Sequence, residues 1–360
     1  CVDFGTTWTK NTARDASLAA NHREEPCCFL AAHRDGDADD MGWYDTQVNN
    51  PLSPTPTLAT LAGEGLVLDR HYAYQYCSPT RRSFLTGRLP TSLSTSQPDL
   101  CSNYTPLDAP LISEVLARSH VSHFIGKGHL GYETTDHLPV NRGFATHVGY
   151  LGAAETYSHG GGDADPNVGE HDMWEGEGPG FDAVREMQYS TDFYAQRASQ
   201  IIHEHGEKSL FLYVGFQNTH APYTLPPKWQ VRYFPEYGDQ VYPNMLAVLD
   251  EGVLNVTSAL KGAGMWENTL LLFFSDNGAT GVHGNNCPLR GHKHDPYDGG
   301  VTVGSRVSTA SLEGGKSAQR ARHDARRREM GLTLAPFFSP MMSRVVNVAR
   351  SRRANSLALM

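Results

Sequence analysis

Residues 52 to 300 predict an open, doubly wound, mostly parallel α/β sheet flanked by helices. Two observations carry this prediction. Short apolar runs of strand length alternate with longer amphipathic runs of helical length. Polar clusters also follow three of the apolar runs directly, and the carboxyl ends of strands are where open α/β sheets bind ligands. At 360 residues, with 39% hydrophobic and 19% charged residues, the chain has the composition of a globular protein able to bury a large core. No apolar run approaches the length that spans a membrane.

In chain order, the predicted elements begin with a helix over 55–63 and a strand over 65–72. A helix over 79–86 follows, with Ser78 as N-cap, Pro79 as first helical residue and Gly87 as stop. That start places Cys77 beside unpaired backbone N–H groups at the positive end of a helix, where an oxyanion is stabilised. A helix over 107–118 leads to a strand over 121–125. The Gly-rich and acidic segment 160–180 reads as an exposed loop. A helix over 190–204, a strand over 210–216, a helix over 244–261 and a strand over 269–274 complete the alternation. The 244–261 helix carries Met245, Leu246, Leu249, Val253, Val256 and Leu260 at helical spacing, a core stripe.

The net charge of −9 hides an asymmetry. Residues 302–360 hold eleven Lys/Arg against three Asp/Glu, leaving 19 basic and 36 acidic residues in 1–301, a net of −17. An acidic body argues against nucleic acid as a partner, and an enzyme acting on anions would need local cations in its site. The six cysteines, at 1, 27, 28, 77, 101 and 287, show neither metal-ligand spacing nor a disulfide framework. Two sequons, starting at Asn103 and Asn255, mark these residues as candidate glycosylation sites on a secretory route, lysosomal or extracellular. The chain begins at Cys1 with no signal-peptide pattern and is expected to be a fragment or imperfect gene product at that end.

The clusters after the strands are Gly126-Lys127-Gly128-His129-Leu130-Gly131, Asn218-Thr219-His220-Ala221-Pro222 and Ser275-Asp276-Asn277-Gly278. Each has an ordinary explanation: an Asp-Asn-Gly turn, solvated loop residues, a satisfied histidine, or an acidic surface loop for Asp39 and Asp40. Their joint order favours a site. The run Cys77-Ser78-Pro79-Thr80-Arg81, continuing to Leu85-Thr86-Gly87, resembles the sulfatase signature C-[ST]-P-x-R with its following L-T-G. DADDMGWYD, GKGHLG, FLYVGFQNTHAPYTLP, LLLFFSDNGA and NNCPLRGHKHDPYDGGV follow the family order, so residues 37–309 resemble a sulfatase catalytic domain of the alkaline phosphatase superfamily, near arylsulfatase B.

The resemblance implies one calcium ion held by Asp39, Asp40, Asp276 and Asn277, an all-oxygen set suited to a hard cation. It implies that Cys77 is oxidised by a formylglycine-generating enzyme, and that the hydrated aldehyde attacks the sulfate ester with help from calcium and Arg81. Lys127 and Lys293 match the sulfate-binding lysines, and His220 the histidine that protonates the leaving alcohol. His129 matches the base that takes a proton from the second hydroxyl, so that the hydrate collapses and expels sulfate. The substrate class implied is a sulfated small molecule or glycan.

The sequence departs from the family in several places. Residues 28–38, where an apolar first strand is expected, carry several charges and predict a shifted or shortened strand. Gly128 stands where a Trp is common, predicting a missing bulky element at the site floor. Thr302 stands where an Arg is usual. Residues 1–36 are poorly defined, and residues 310–360 form an Arg-rich tail without strand alternation, expected to be disordered or a gene-model artefact. The family's C-terminal antiparallel subdomain has no counterpart in this pattern. A related phosphoesterase and an inactive remnant with the same fold are the competing possibilities.

Overall fold

Alternating side chains give the central strands two apolar faces, and helices cover both. The computed structural model describes residues 39–93, 104–158, 172–180, 189–227, 229–309 and 356–360. Its strands are β1 (Leu66–Leu68), β2 (His120–Gly126), β3 (Thr146–Gly149), β4 (Trp174–Glu175), β5 (Gly178–Pro179), β6 (Ser209–Gly215), β7 (Thr269–Phe273), β8 (Ser305–Thr309) and β9 (Ser356–Leu359). Its helices are α1 (Pro56–Glu64), α2 (Cys77–Thr86), α3 (Ile112–Leu116), α4 (Ser190–Glu204), α5 (Val241–Gly262) and α6 (Asp298–Val301).

Among the described residues the strands form one sheet in the order β1-β8-β7-β9-β6-β2-β3-β4-β5. The run from β7 to β3 is parallel throughout, and the pairs at both edges are antiparallel. In β6, Leu210, Leu212 and Val214 face α1, α4 and α5, whereas Phe211 and Tyr213 face α2 and α3. In β7, Leu271 and Phe273 alternate with Leu270 and Leu272 in the same way. This is the predicted doubly wound class, with both faces buried as a parallel core requires.

The helix boundaries differ from expectation at one informative place. Helix α2 starts at Cys77, with extended Tyr76 as N-cap, so Pro79 lies in the third helical position and not the first. Amides of the first turn have no intrahelical partner, so Pro is tolerated there. The stop is as predicted: Gly87 adopts φ 68° and its N–H donates to the Ser83 carbonyl at 2.8 Å. Helix α1 is capped from α5, since the Asp250 carboxylate accepts the Thr57 and Leu58 amides at 2.9 and 3.0 Å.

Two expectations are corrected or relocated. The tail is not uniformly without structure: Ser356–Leu359 form β9, central in the sheet, parallel to both β6 and β7. Four apolar-rich residues suffice there because the neighbouring strands supply the ladder on both sides. The charged stretch 28–38 and residues 310–355 lie outside the described residues. The loop expected over 160–180 contains the β4–β5 hairpin at its described end, turning through Gly176 at φ 63°.

Candidate active site

Strand β2 ends at Gly126, where the chain turns with φ 86°, and a Cβ there would run into the Gly215 carbonyl at the end of β6. The close approach lets the Lys127 amide donate to that carbonyl at 2.9 Å and turns the lysine side chain inward. His129, two residues on, is held at φ 51°, an uncommon conformation for a non-glycine residue. Strand β6 ends in a turn closed by the His220 amide donating to the Gln217 carbonyl at 2.9 Å. Strand β7 ends at Phe273, and two residues on the Ser275 hydroxyl donates to the Asn277 carbonyl at 2.8 Å and orders Asp276 and Asn277. Lys293 arrives from the following loop, pinned by its amide to the Ala279 carbonyl at 2.9 Å.

These side chains converge. Arg81 from α2 donates through Nε to Asp276 Oδ2 at 2.9 Å and through Nη2 to Asp39 Oδ2. Lys127 Nζ lies 3.0 Å from Asp39 Oδ2, and Lys293 Nζ lies 3.3 Å from Asp40 Oδ1. Asn277 Nδ2 donates to Asp40 Oδ1. Cys77 is buried as a free thiol at the first position of α2, within the electrostatic reach of Lys127, Lys293, Asp276 and Asp40. All the catalytic and metal-ligating candidates except the glycosylation residues therefore belong to one buried cluster at the carboxyl ends of the strands.

Burial sets the protonation states. It pushes the Cys77 thiol up to about 11, with Lys127 and Lys293 pulling the other way. It pushes the Asp40 carboxyl up to about 7, against the pull of Lys293. Burial would raise Asp276 too, but Arg81, Lys127 and Lys293 hold it below the usual carboxylate range. His129 and His220 are driven well below the ordinary imidazole value, first by burial and then by the nearby lysines, so both rings are neutral.

Four buried oxygens, Asp39 Oδ1, Asp40 Oδ2, Asp276 Oδ1 and Asn277 Oδ1, have no hydrogen-bond partner. Each such oxygen costs about 1–3 kcal/mol, and four on one cluster form a hard, all-oxygen donor set of the kind calcium takes. Among the described residues, no group of three or more His, Cys, Asp or Glu side chains is gathered as a metal centre, and Arg81, Lys127 and Lys293 sit against the carboxylates instead.

The residues that hold this cluster were not singled out by the sequence. Tyr213 accepts from Arg81 Nη1 at 2.9 Å and donates to the Lys127 carbonyl at 3.3 Å. Tyr242 donates to the Asp40 carbonyl and to Asp45 Oδ2, at 2.9 and 2.8 Å. The available signal was a tyrosine inside an otherwise apolar strand or helix stripe, whose hydroxyl needs a partner when buried. The expected gap at Gly128 is filled by backbone: its amide donates to the Tyr150 carbonyl at 2.8 Å, and a Cβ there would lie 3.2 Å from that oxygen. Thr302 is buried and bridges to Tyr72. Asn255 is exposed on α5, while the hydroxyl of Thr257 is turned inward onto the Val253 carbonyl at 2.8 Å. Asn103 lies outside the described residues.

Comparison with known proteins places the cluster in context. The sequence model of the sulfatase family matches residues 38–305. Mouse arylsulfatase J is 35% identical over 328 residues, which cover 85% of this chain and 53% of that protein. Human N-acetylgalactosamine-6-sulfatase is 30% identical over 292 residues, 73% of this chain and 54% of the relative. The chain thus spans about half the length of these relatives. The crystal structure of Ps i-CgsB in complex with k-i-k-neocarrahexaose superposes with a TM-score of 0.66 at 26% identity, covering 77% of this chain and 66% of that one.

Proposed function

The chain belongs to the sulfatase family, and from that premise we propose that it is a calcium-dependent sulfuric ester hydrolase whose Cys77 is converted to formylglycine. The observation that carries the proposal is the convergence of Cys77, two lysines, two neutral histidines and four partnerless oxygens in one buried cluster. A thiol pushed up to about 11 is protonated at neutral pH and makes a poor nucleophile, which favours modification over direct attack. The hydrated aldehyde supplies a hydroxyl nucleophile, and its second hydroxyl lets the sulfated form expel sulfate and return to the aldehyde, which water then rehydrates. Asp39, Asp40, Asp276 and Asn277 would hold calcium, which supplies Lewis-acid polarisation and charge for a developing oxyanion.

Lys127 and Lys293 receive the sulfate oxygens, and their burial makes each charge effective there. Their fields act on both histidines alike, adding to burial in keeping each ring neutral before substrate enters. His129, neutral and with neither ring nitrogen hydrogen-bonded, is ready to accept a proton. His220 donates at the leaving oxygen once an entering sulfate ester monoanion offsets the lysine charges that add to burial in keeping it neutral. Arg81 keeps Asp39 and Asp276 in register with Cys77 on the same helix.

The names of the relatives, an N-acetylgalactosamine sulfatase and a protein bound to a carrageenan oligosaccharide, support sulfated carbohydrate as the substrate class. The sequon at exposed Asn255 supports a secretory route, lysosomal or extracellular. No helix among the described residues is long and apolar enough to cross a membrane. The test is peptide mass spectrometry across residues 77–81 of protein made in a host with a formylglycine-generating enzyme, alongside aryl sulfate turnover with and without chelator. Loss of 18 mass units from the cysteine, with turnover that chelation abolishes and calcium restores, is expected; an unmodified thiol in protein that turns over sulfate would refute the nucleophile assignment.

A further inference from the structure

The turn that delivers His220 is gripped from outside β6 by one hydroxyl. Tyr157 is buried, and its Oη lies 2.9 Å from the His220 carbonyl and 3.1 Å from the Gln217 carbonyl, so one proton is shared between the two ends of the turn. The Tyr157 ring stacks on Tyr189 with centroids 4.6 Å apart and planes inclined by 17°. Tyr189 in turn donates to the Thr224 carbonyl at 3.0 Å, beyond the histidine. The Ser190 amide donates to the Tyr157 carbonyl at 2.7 Å, and the Ser190 hydroxyl to Gln217 Oε1 at 3.0 Å. The Glu155 carbonyl accepts from Gln217 Nε2, so segment 155–157 and the start of α4 both hold the turn. Only the Tyr157 hydroxyl reaches the backbone of the histidine itself among these contacts.

We propose that Tyr157 is a positioning residue for proton donation by His220, fixing the backbone from which the imidazole projects toward the leaving oxygen. This rests on the donor role proposed above for His220. A general acid depends steeply on placement, because its contribution requires hydrogen-bond reach in the transition state. Loosening the turn should therefore cost most where the leaving group most needs a proton. A merely structural contact would slow all substrates alike.

The experiment compares kcat/KM for a series of aryl sulfates of graded leaving-group acidity and for an alkyl sulfate, using Tyr157→Phe, His220→Ala and the double variant. Phe keeps the ring and its stack, and Tyr189→Phe serves as a control that loses the bond to the Thr224 carbonyl and the 3.4 Å contact from the Asn218 amide side chain, but none to the His220 backbone. Tyr157→Phe should stay within about twofold of the parent on the best aryl sulfate and fall about tenfold on the alkyl sulfate. Tyr189→Phe should show no such slope, and the double variant should be no slower than His220→Ala alone, as expected for residues acting through one group. A uniform loss across leaving groups, or a fully additive double variant, would overturn the inference about Tyr157. A flat leaving-group dependence in His220→Ala would instead overturn the donor role of His220 itself.

Discussion

Asp276 does two jobs at once: it anchors Arg81 at 2.9 Å and offers one of the four partnerless oxygens of the proposed calcium set. Asp276→Ala should therefore lower aryl sulfate hydrolysis by at least about 100-fold and abolish stabilisation by calcium in thermal melts. Full activity in this variant would show that the ligand set is wrong. His129 makes a separate prediction, because its neutral ring is assigned to the step after the alcohol has left. His129→Ala should release about one equivalent of alcohol in a burst and then stall, which stopped-flow measurement of the phenol would record. A slowed first turnover with no burst would move His129 to the same step as His220.

At the level of elements, strand β3 carries a histidine where the sheet is covered on both faces. His147 is 1% exposed, packs edge-on against Phe124 at 5.2 Å, and is pushed down to about 3 by burial. Its folded value lies below the unfolded value of 6.5, so the unfolded state binds more protons between these values, and stability contributed by the neutral ring is lost as pH falls through that window. Between pH 7 and pH 5 the loss should approach about 2 kcal/mol. His147→Phe should flatten this part of the stability curve in urea titrations at the two pH values; an unchanged slope would mean that the ring is solvated in the native state. Helix α2 shows how an element also fixes chemistry, since starting it at Cys77 puts the thiol in the first turn, with Ser78 and Arg81 buried further along the same helix.

Across the whole molecule, two opposite charge patterns coexist. Residues 1–301 carry a net of −17, yet Arg81, Lys127 and Lys293 are gathered in the buried cluster, so any anion is drawn by local and not global charge. The sheet that supports this cluster takes one of its interior strands from the far end of the chain. Ala358 of β9 is 1% exposed and lies between Leu212 of β6 and Leu271 of β7. Ala358→Asp would bury an unpaired carboxylate there, and should cost at least about 3 kcal/mol in chemical denaturation. Unchanged stability would remove β9 from the centre of the sheet.

The sequence by itself determined the α/β class, the strands at β2, β6 and β7, the long helix α5 and the family, because these depend on local periodicity and on short motifs whose spacing survives unfolding. It also marked Lys127, His129, His220, Asp276 and Asn277, since each follows a recognisable strand. Only the tertiary structure decided what joins them. Tyr157 meets His220 across 63 positions and Tyr242 meets Asp40 across 202, contacts with no local signature. The same holds for β9, whose four residues have too little periodicity to announce a strand, and which acquires one only because β6 and β7 present unpaired backbone on both sides.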